Sequence, residues 1–300
     1  MREILANISD VHSGHKLGLM LPGVQLQEDG PDGEPQYWEP TPNATQKLIN
    51  SLYASDVLWL RDLAGGDPVT LVLNGDLTQG DKYPREWVST RKADQISIAV
   101  HNLKPLFQVG MDVQRVLLAK GTGSHELGEG SSTILIADQL RPLTNAQVEV
   151  AYHYEVSTSG TLIDIAHHGP GPGIRKWLEG NVLRLYAQSI MQSALEEGKE
   201  PPRLVVRSHY HTMTWQTVRY RVGEKFYSTD IVILPAYSGL DDFARQATRS
   251  KGSYHIGMVA AEIVDGELVR IYPHFRIVDG ELLRIYPHFR IVDGRRKLAW

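Results

Sequence analysis

Five stretches of the chain join an apolar run to side chains that could ligate a metal. Ile4-Leu5-Ala6-Asn7-Ile8 leads into Asp10-Val11-His12. The run at 69–73 leads into Asn74-Gly75-Asp76, and the run at 113–119 into Gly121-Thr122-Gly123-Ser124-His125-Glu126. The run at 162–166 leads into His167-His168, and the run at 204–206 into Ser208-His209-Tyr210-His211. An Asp and a His two apart, just past a strand, point the same way and can hold one metal ion. Ligands of open α/β sheets sit outside the carboxyl ends of the strands. Five strand ends of this kind therefore converge on one site.

The order of these motifs resembles that of the calcineurin-like metallophosphoesterases, which runs Asp-x-His, Gly-Asp, Gly-Asn-His-Glu/Asp, His, Gly-His-x-His. Here it reads Asp10-Val11-His12, Gly75-Asp76, Gly123-Ser124-His125-Glu126, His167 and Ser208-His209-Tyr210-His211, over roughly residues 4–212. Ser124 stands where the family has an Asn ligand, and Ser208 replaces a Gly that is not a ligand. The resemblance implies an α/β fold, a two-sheet β-sandwich flanked by helices in four layers, α/β/β/α. It also implies two divalent ions. Asp10, His12 and His211 would hold the first, His167 and His209 the second, and Asp76 would bridge them. His168 is the alternative to His167.

Two such ions, about 3.5–4 Å apart, bind a phosphate oxygen, generate hydroxide near neutral pH and stabilise the attacking and leaving oxygens. His125 would protonate the leaving oxygen or stabilise phosphoryl charge, with Glu126 orienting its ring. A Ser124 hydroxyl is a poorer ligand than an Asn carbonyl. A weaker second metal, a water in the gap, or lost activity would follow, unless Thr122 or the backbone compensates. The implied activity is hydrolysis of a phosphate ester, a diester in preference to a monoester. The alternatives are a phosphomonoesterase and a non-catalytic scaffold that keeps the fold.

Composition narrows the chemistry further. The chain of 300 residues has no cysteine, which excludes disulfides, thiolate metal sites and a Cys nucleophile. A His and carboxylate ligand set suits Mn, Fe, Zn or Ni, with Mn favoured by the resemblance. A net charge of −4 carries no global nucleic-acid signature. Arg203, Arg207, Arg219, Arg221, Arg245, Arg249 and Lys251, with Trp215, Tyr220 and Tyr237 among them, leave a local nucleic-acid surface open. Solvated charge on strand edges is the competing reading. No apolar run approaches the ~20 residues of a membrane span, and no secretory leader is expected, so the chain reads as soluble and cytoplasmic.

The elements that must position these residues follow from periodicity and punctuation. Asn43 with Gln46 reads as a capping box opening a helix that ends near Gly65-Gly66. Helices are also expected at 85–109, from Ser131 to about 140, and at 181–197 with Val182, Leu185, Tyr186, Ile190 and Leu195 inward. Residues 147–156 and 161–166 read as paired strands. Runs 213–222, 225–234 and 254–264 are expected to build a second, more antiparallel sheet. The segment 13–42 reads as a long loop whose Tyr37 and Trp38 could cover substrate. His101 and His153 read as structural.

The tail repeats itself. Residues 263–276 recur as 277–290 with Val269 replaced by Leu283, and each copy reads as a hairpin on an Asp-Gly turn. The catalytic domain is placed at 1–276 and the duplicated hairpin at 277–300. The duplicate could pair with a neighbouring chain through an exposed strand edge. His274 and His288 are copies of one another and are discounted as ligands.

Overall fold

The computed structural model describes residues 1–82, 84–128, 130–173, 176–239, 253–279 and 282–284. The first half of the chain runs β1 (Arg2–Ile8), β2 (Leu26–Asp29), β3 (Pro35–Trp38), α1 (Ala44–Ala64), β4 (Pro68–Asn74), α2 (Lys92–Leu103), α3 (Pro105–Gln108), β5 (Asp112–Ala119), α4 (Ser131–Leu140) and β6 (Gln147–Ala151). It continues with β7 (His153–Thr158), β8 (Thr161–Ala166), α5 (Asn181–Glu196), β9 (Leu204–Arg207), β10 (Thr214–Val222), β11 (Lys225–Ile233), β12 (Ser253–Val264), β13 (Glu267–Asp279) and β14 (Leu282–Arg284). The fold is mixed α/β. One sheet has the order β14-β13-β12-β1-β4-β5-β6, a second β10-β11-β9-β8-β7, and β2-β3 form a small third.

Strand β1 explains the first sheet. Ile4, Ala6 and Ile8 join a core with Ile49, Tyr53 and Val57 of α1, Ile96 and Val100 of α2 and Ile136 of α4. Leu5 joins a different core, with Ile163, Leu204 and Val206 of the second sheet. A strand covered on both faces is apolar throughout, which is why its sequence shows no alternation. Leu183, Ala187 and Met191 of α5 pack on Val205, Ile231 and Ile233 of the second sheet.

Helix α1 begins as its sequence predicts. Asn43 Oδ1 accepts the Gln46 amide at 2.9 Å and Gln46 Oε1 accepts the Asn43 amide at 3.1 Å. Gly65 closes it in the left-handed conformation, at φ 60°.

Several sequence expectations need correction. Residues 85–109 are not one helix. Lys16 N donates to Glu86 O at 2.9 Å and Val88 N to Gly14 O at 2.8 Å, so this segment spends its backbone on the β1 loop. Pro105, which has no amide to donate, then separates α2 from α3. Residues 147–156 are two strands divided at Tyr152. β6 pairs in parallel with β5 and β7 pairs antiparallel with β8, so the chain changes sheets there. β12 does not extend the second sheet; it lies antiparallel to β1 in the first. On α5, Val182 and Leu185 face solvent, and the buried stripe is Leu183, Ala187 and Met191.

The segment 13–42 holds the β2–β3 hairpin, with Leu26 buried and Trp38 packed beside it, while Tyr37 is exposed. The first tail copy is a hairpin, β12–β13, turning at Asp265 (φ 50°) and Gly266 (φ 86°). β13 continues through the 276/277 repeat boundary, and its end pairs with β14. Residues 285–300 with His288, and Arg245, Arg249 and Lys251, lie outside the described residues. Among the described residues no helix is long and apolar enough to cross a membrane.

Candidate metal centre

β1, β4 and β5 of the first sheet and β8 and β9 of the second all end at one place, and their loops are laced together by backbone hydrogen bonds. Asp10 N donates to Gly75 O at 3.2 Å, His12 N to Asp76 O at 3.0 Å and Ser208 N to His167 O at 2.9 Å. The loops approach so closely that a Cβ on Gly121 would lie 2.2 Å from Asp76 Oδ1. The backbone is also strained. Of the seven described non-glycine residues with positive φ, five are Asp10, His12, Asp76, His209 and His211. Each such residue costs on the order of 1–3 kcal/mol, which the surrounding structure must over-determine.

The structure brings the predicted residues into two clusters, Asp10/His12/His211 and Asp76/His167/His209. In the first, His211 Nε2 is 3.3 Å and His12 Nε2 3.9 Å from Asp10 Oδ1. His12 Nε2 and His211 Nε2 are 3.2 Å apart. In the second, His167 Nε2 is 3.0 Å and His209 Nδ1 3.9 Å from Asp76 Oδ2. A third grouping, His12/Asp76/His125, overlaps the first two and places Asp76 between them. Asp10 is fully buried, yet Oδ1 has no hydrogen bond. Two ligand atoms bound about 2.1 Å from one cation lie roughly 3.0–3.5 Å from each other. The Asp10–His211, His12–His211 and Asp76–His167 pairs meet this spacing and the two 3.9 Å pairs are wider; the clusters could hold divalent cations, and an ion would complete the orphaned Asp10 oxygen.

Three of the imidazoles are steered by their other nitrogen, as is usual for metal-ligating histidines, while His211 Nδ1 is buried without a hydrogen-bond partner. His167 Nδ1 donates to Asn74 O at 2.7 Å, leaving Nε2 toward Asp76. His12 Nδ1 lies 3.0 Å from Gln79 Oε1. His125 Nδ1 donates to Gln79 O at 2.7 Å, and its ring meets that of His12 edge-on at 4.5 Å. Gln79 thus orients two histidines, one through its side chain and one through its backbone. Glutamine is not a typical ligand, so its residue type carried no signal in the sequence.

Glu126 does not orient His125. Its carboxylate accepts the Gly121 and Thr133 amides at 3.0 and 3.1 Å, and the Ser132 and Thr133 hydroxyls at 2.5 Å each. It ties the His125 loop to the start of α4, where backbone amides favour an acceptor. Ser124 makes no hydrogen bond to either cluster among the described residues. His168 lies outside the second cluster, exposed, with its ring 4.9 Å from that of His209. His209 is itself about a third exposed (35%), so the second cluster is the open one.

Charge follows from this burial. Burial alone would push the Asp10 carboxyl up, but the His211 and His167 charges outweigh it and hold it below the usual range. Asp76 is held well below that range, burial again opposed chiefly by His167. For His167 burial pulls downward, and Asp76 with Asp10 overcomes it, pushing the ring up to about 9. Burial, with His125 and His211 nearby, pushes His12 well down, so its ring is neutral and available as a ligand. A cation held by His167 would have to displace the proton on that ring, so its binding would tighten as pH rises.

Of the basic residues of the second half, Arg203 and Arg207 are taken up within the fold, while Arg219 and Arg221 are exposed on β10. Arg203 pairs with Asp230. Arg207 is only 3% exposed, with Nη1 2.6 Å from Asp164 Oδ1. Tyr237 is buried, its hydroxyl on Asp56. The grouping His153/Glu155/Asp164 carries the Arg207 guanidinium against its acid, which disfavours a cation there.

No protein-family profile matches the chain, and no curated protein does. Among solved structures, an archaeal phosphodiesterase aligns over 92% of this chain and 98% of its own, at 10% identity and a TM-score of 0.37. A protein of unknown function from Aquifex aeolicus aligns over 69% of this chain and 78% of its own, at 12% identity and a TM-score of 0.29. Likenesses this weak fix neither the fold nor the activity.

Proposed function

We propose that the chain is a dinuclear, metal-dependent phosphoesterase of the calcineurin-like kind, acting on diesters in preference to monoesters. The observation that carries this reading is Asp76, a buried carboxylate within reach of both His/Asp clusters. Asp10, His12 and His211 would hold one divalent ion, His167 and His209 the other, and Asp76 both, with Mn as the favoured metal. Such a pair, when bound, supplies Lewis acidity and a nucleophilic hydroxide near neutral pH.

The protein's own residues do the rest. The open side, at His209, admits the ester. His125, with Nδ1 fixed on Gln79 O, has Nε2 to deliver a proton to the leaving oxygen as the imidazolium gives it up. The strained, laced loops hold the ligands in place before substrate arrives. We read the two larger sheets with helices on their outer faces as the four-layer arrangement, residues 1–276 as its extent, the tail repeat as a surface for self-association, and the cytoplasm as its location.

Replacing Asp76 tests the reading. Asp76→Ala should reduce hydrolysis of an aryl phosphodiester to the level of metal-stripped protein. Turnover equal to wild type would overturn the proposal. The ratio of diester to monoester rates on wild-type protein decides between the two substrate classes.

A further inference from the structure

We infer that Thr122, not Ser124, supplies the fourth donor of the second cluster, through its side-chain hydroxyl. The inference rests on the dinuclear reading above. Thr122 Oγ1 lies 3.1 Å from Asp76 Oδ2, 3.1 Å from His209 Nδ1 and 3.4 Å from His167 Nε2. These are three separate contacts, one to each member of the cluster. All three distances fall in the roughly 3.0–3.5 Å interval that separates ligand atoms sharing one cation. A hydroxyl serving one hydrogen bond needs one such neighbour, and here it has three potential ligand atoms around it.

The backbone holds the residue in that orientation. Thr122 O accepts the amides of His125 at 2.8 Å and Glu126 at 3.1 Å, so the carbonyl is spent on the turn that carries His125. Thr122 N donates to Asp76 Oδ1 at 2.6 Å, which sets the far oxygen of the shared carboxylate. The hydroxyl is therefore the polar group of Thr122 left facing the cluster, and β-branching limits its rotamers.

Ser124 is placed otherwise. Its peptide packs on the preceding loop so tightly that a Cβ on Gly80 would lie 2.1 Å from Ser124 O. The residue two positions earlier thus fills the place that the sequence pattern assigns to Ser124. A neutral hydroxyl binds more weakly than an amide carbonyl, so the second cluster should be the weaker of the two and the first to lose its ion.

Manganese titration with low-temperature electron paramagnetic resonance separates the possibilities, because a coupled Mn pair and an isolated Mn ion give different spectra. Thr122→Val removes the hydroxyl at nearly constant shape. It should weaken the second Mn by about 10-fold or more, leave the first unchanged, and replace the coupled spectrum with the isolated one. Thr122→Ser, which restores the hydroxyl, should restore the pair, and Ser124→Ala should keep it. Thermal unfolding of each metal-free variant establishes that it is folded.

An unchanged pair in Thr122→Val would overturn the inference. So would equal weakening of both ions, which would mean that Thr122 only positions Asp76, or loss of the second ion in Ser124→Ala. Fewer than two Mn in the wild type would instead overturn the dinuclear reading on which the inference stands.

Discussion

Two fully buried aspartates, Asp10 and Asp56, carry opposite solutions to the same electrostatic problem. Asp56 sits within α1 on ordinary helical backbone. One of its oxygens accepts Tyr237 OH at 2.7 Å; the other takes His274 Nε2 at 2.9 Å and the Arg276 guanidinium. His274 in turn stacks on Trp59 at 4.0 Å. That carboxylate is complete within the chain. Asp10 stands at φ 50° with Oδ1 lacking a hydrogen bond and two imidazoles nearby. A buried acceptor left unpaired costs about 1–3 kcal/mol. The cost is tolerable where something outside the chain completes the site. Both aspartates have histidine partners, so histidine beside aspartate does not by itself mark a metal site. What separates Asp10 from Asp56 is its strained backbone together with its unpaired oxygen.

Breaking the complete network should have the largest effect on stability. Asp56→Ala leaves Arg276 and His274 facing a buried gap and should destabilise the protein by about 3–5 kcal/mol, measured by urea unfolding without metal. Mn uptake by the folded variant should persist, because Asp56 touches neither cluster. Loss of Mn uptake from protein shown to be folded would erase the distinction between the two aspartates.

A smaller effect is expected from His255, which binds the site's backbone without belonging to it. Its amide donates to His211 O at 3.0 Å, and its Nδ1 accepts the Met213 amide at 2.9 Å. Burial pushes this ring from 6.5 down to about 4. The unfolded chain takes up the proton near 6.5 while the folded chain refuses it until about 4. Its contribution is therefore intact above pH 6.5 and is lost as pH falls from 6.5 to 4, by up to roughly 3 kcal/mol. His255→Asn keeps an acceptor near Nδ1 and should flatten that part of the stability–pH curve. An unaltered slope would assign the acid sensitivity to other groups.

Features set by near neighbours in sequence were legible. The capping box at Asn43 and Gln46, the left-handed Gly65 and the Asp265-Gly266 turn are local chemistry, and the structure has all three. The convergence of five strand ends was also legible, because each motif sits directly after its own apolar run. What could not be read depends on partners far away. Residues 147–158 change sheets at Tyr152 because β5 and β8 compete for them, and β12 leaves its expected sheet to flank β1. Adjacency in sequence suggests that Glu126 serves His125, but adjacent residues in a turn point apart, and it bonds to Thr133 instead. Thr122 and Gln79 enter the site through loops from β5 and β4 whose separation only the folded sheet sets. Arg203 and Arg207 could not be told from surface charge for the same reason, since each is matched by an acid from a neighbouring strand.

The most direct test of the account is elemental analysis of Mn per chain after loading and removal of free metal, on wild type and Asp10→Asn side by side. The account predicts two Mn per wild-type chain and loss of the first-cluster ion in the variant. A wild type that retains no Mn, or a variant that binds as much as the wild type, would contradict it.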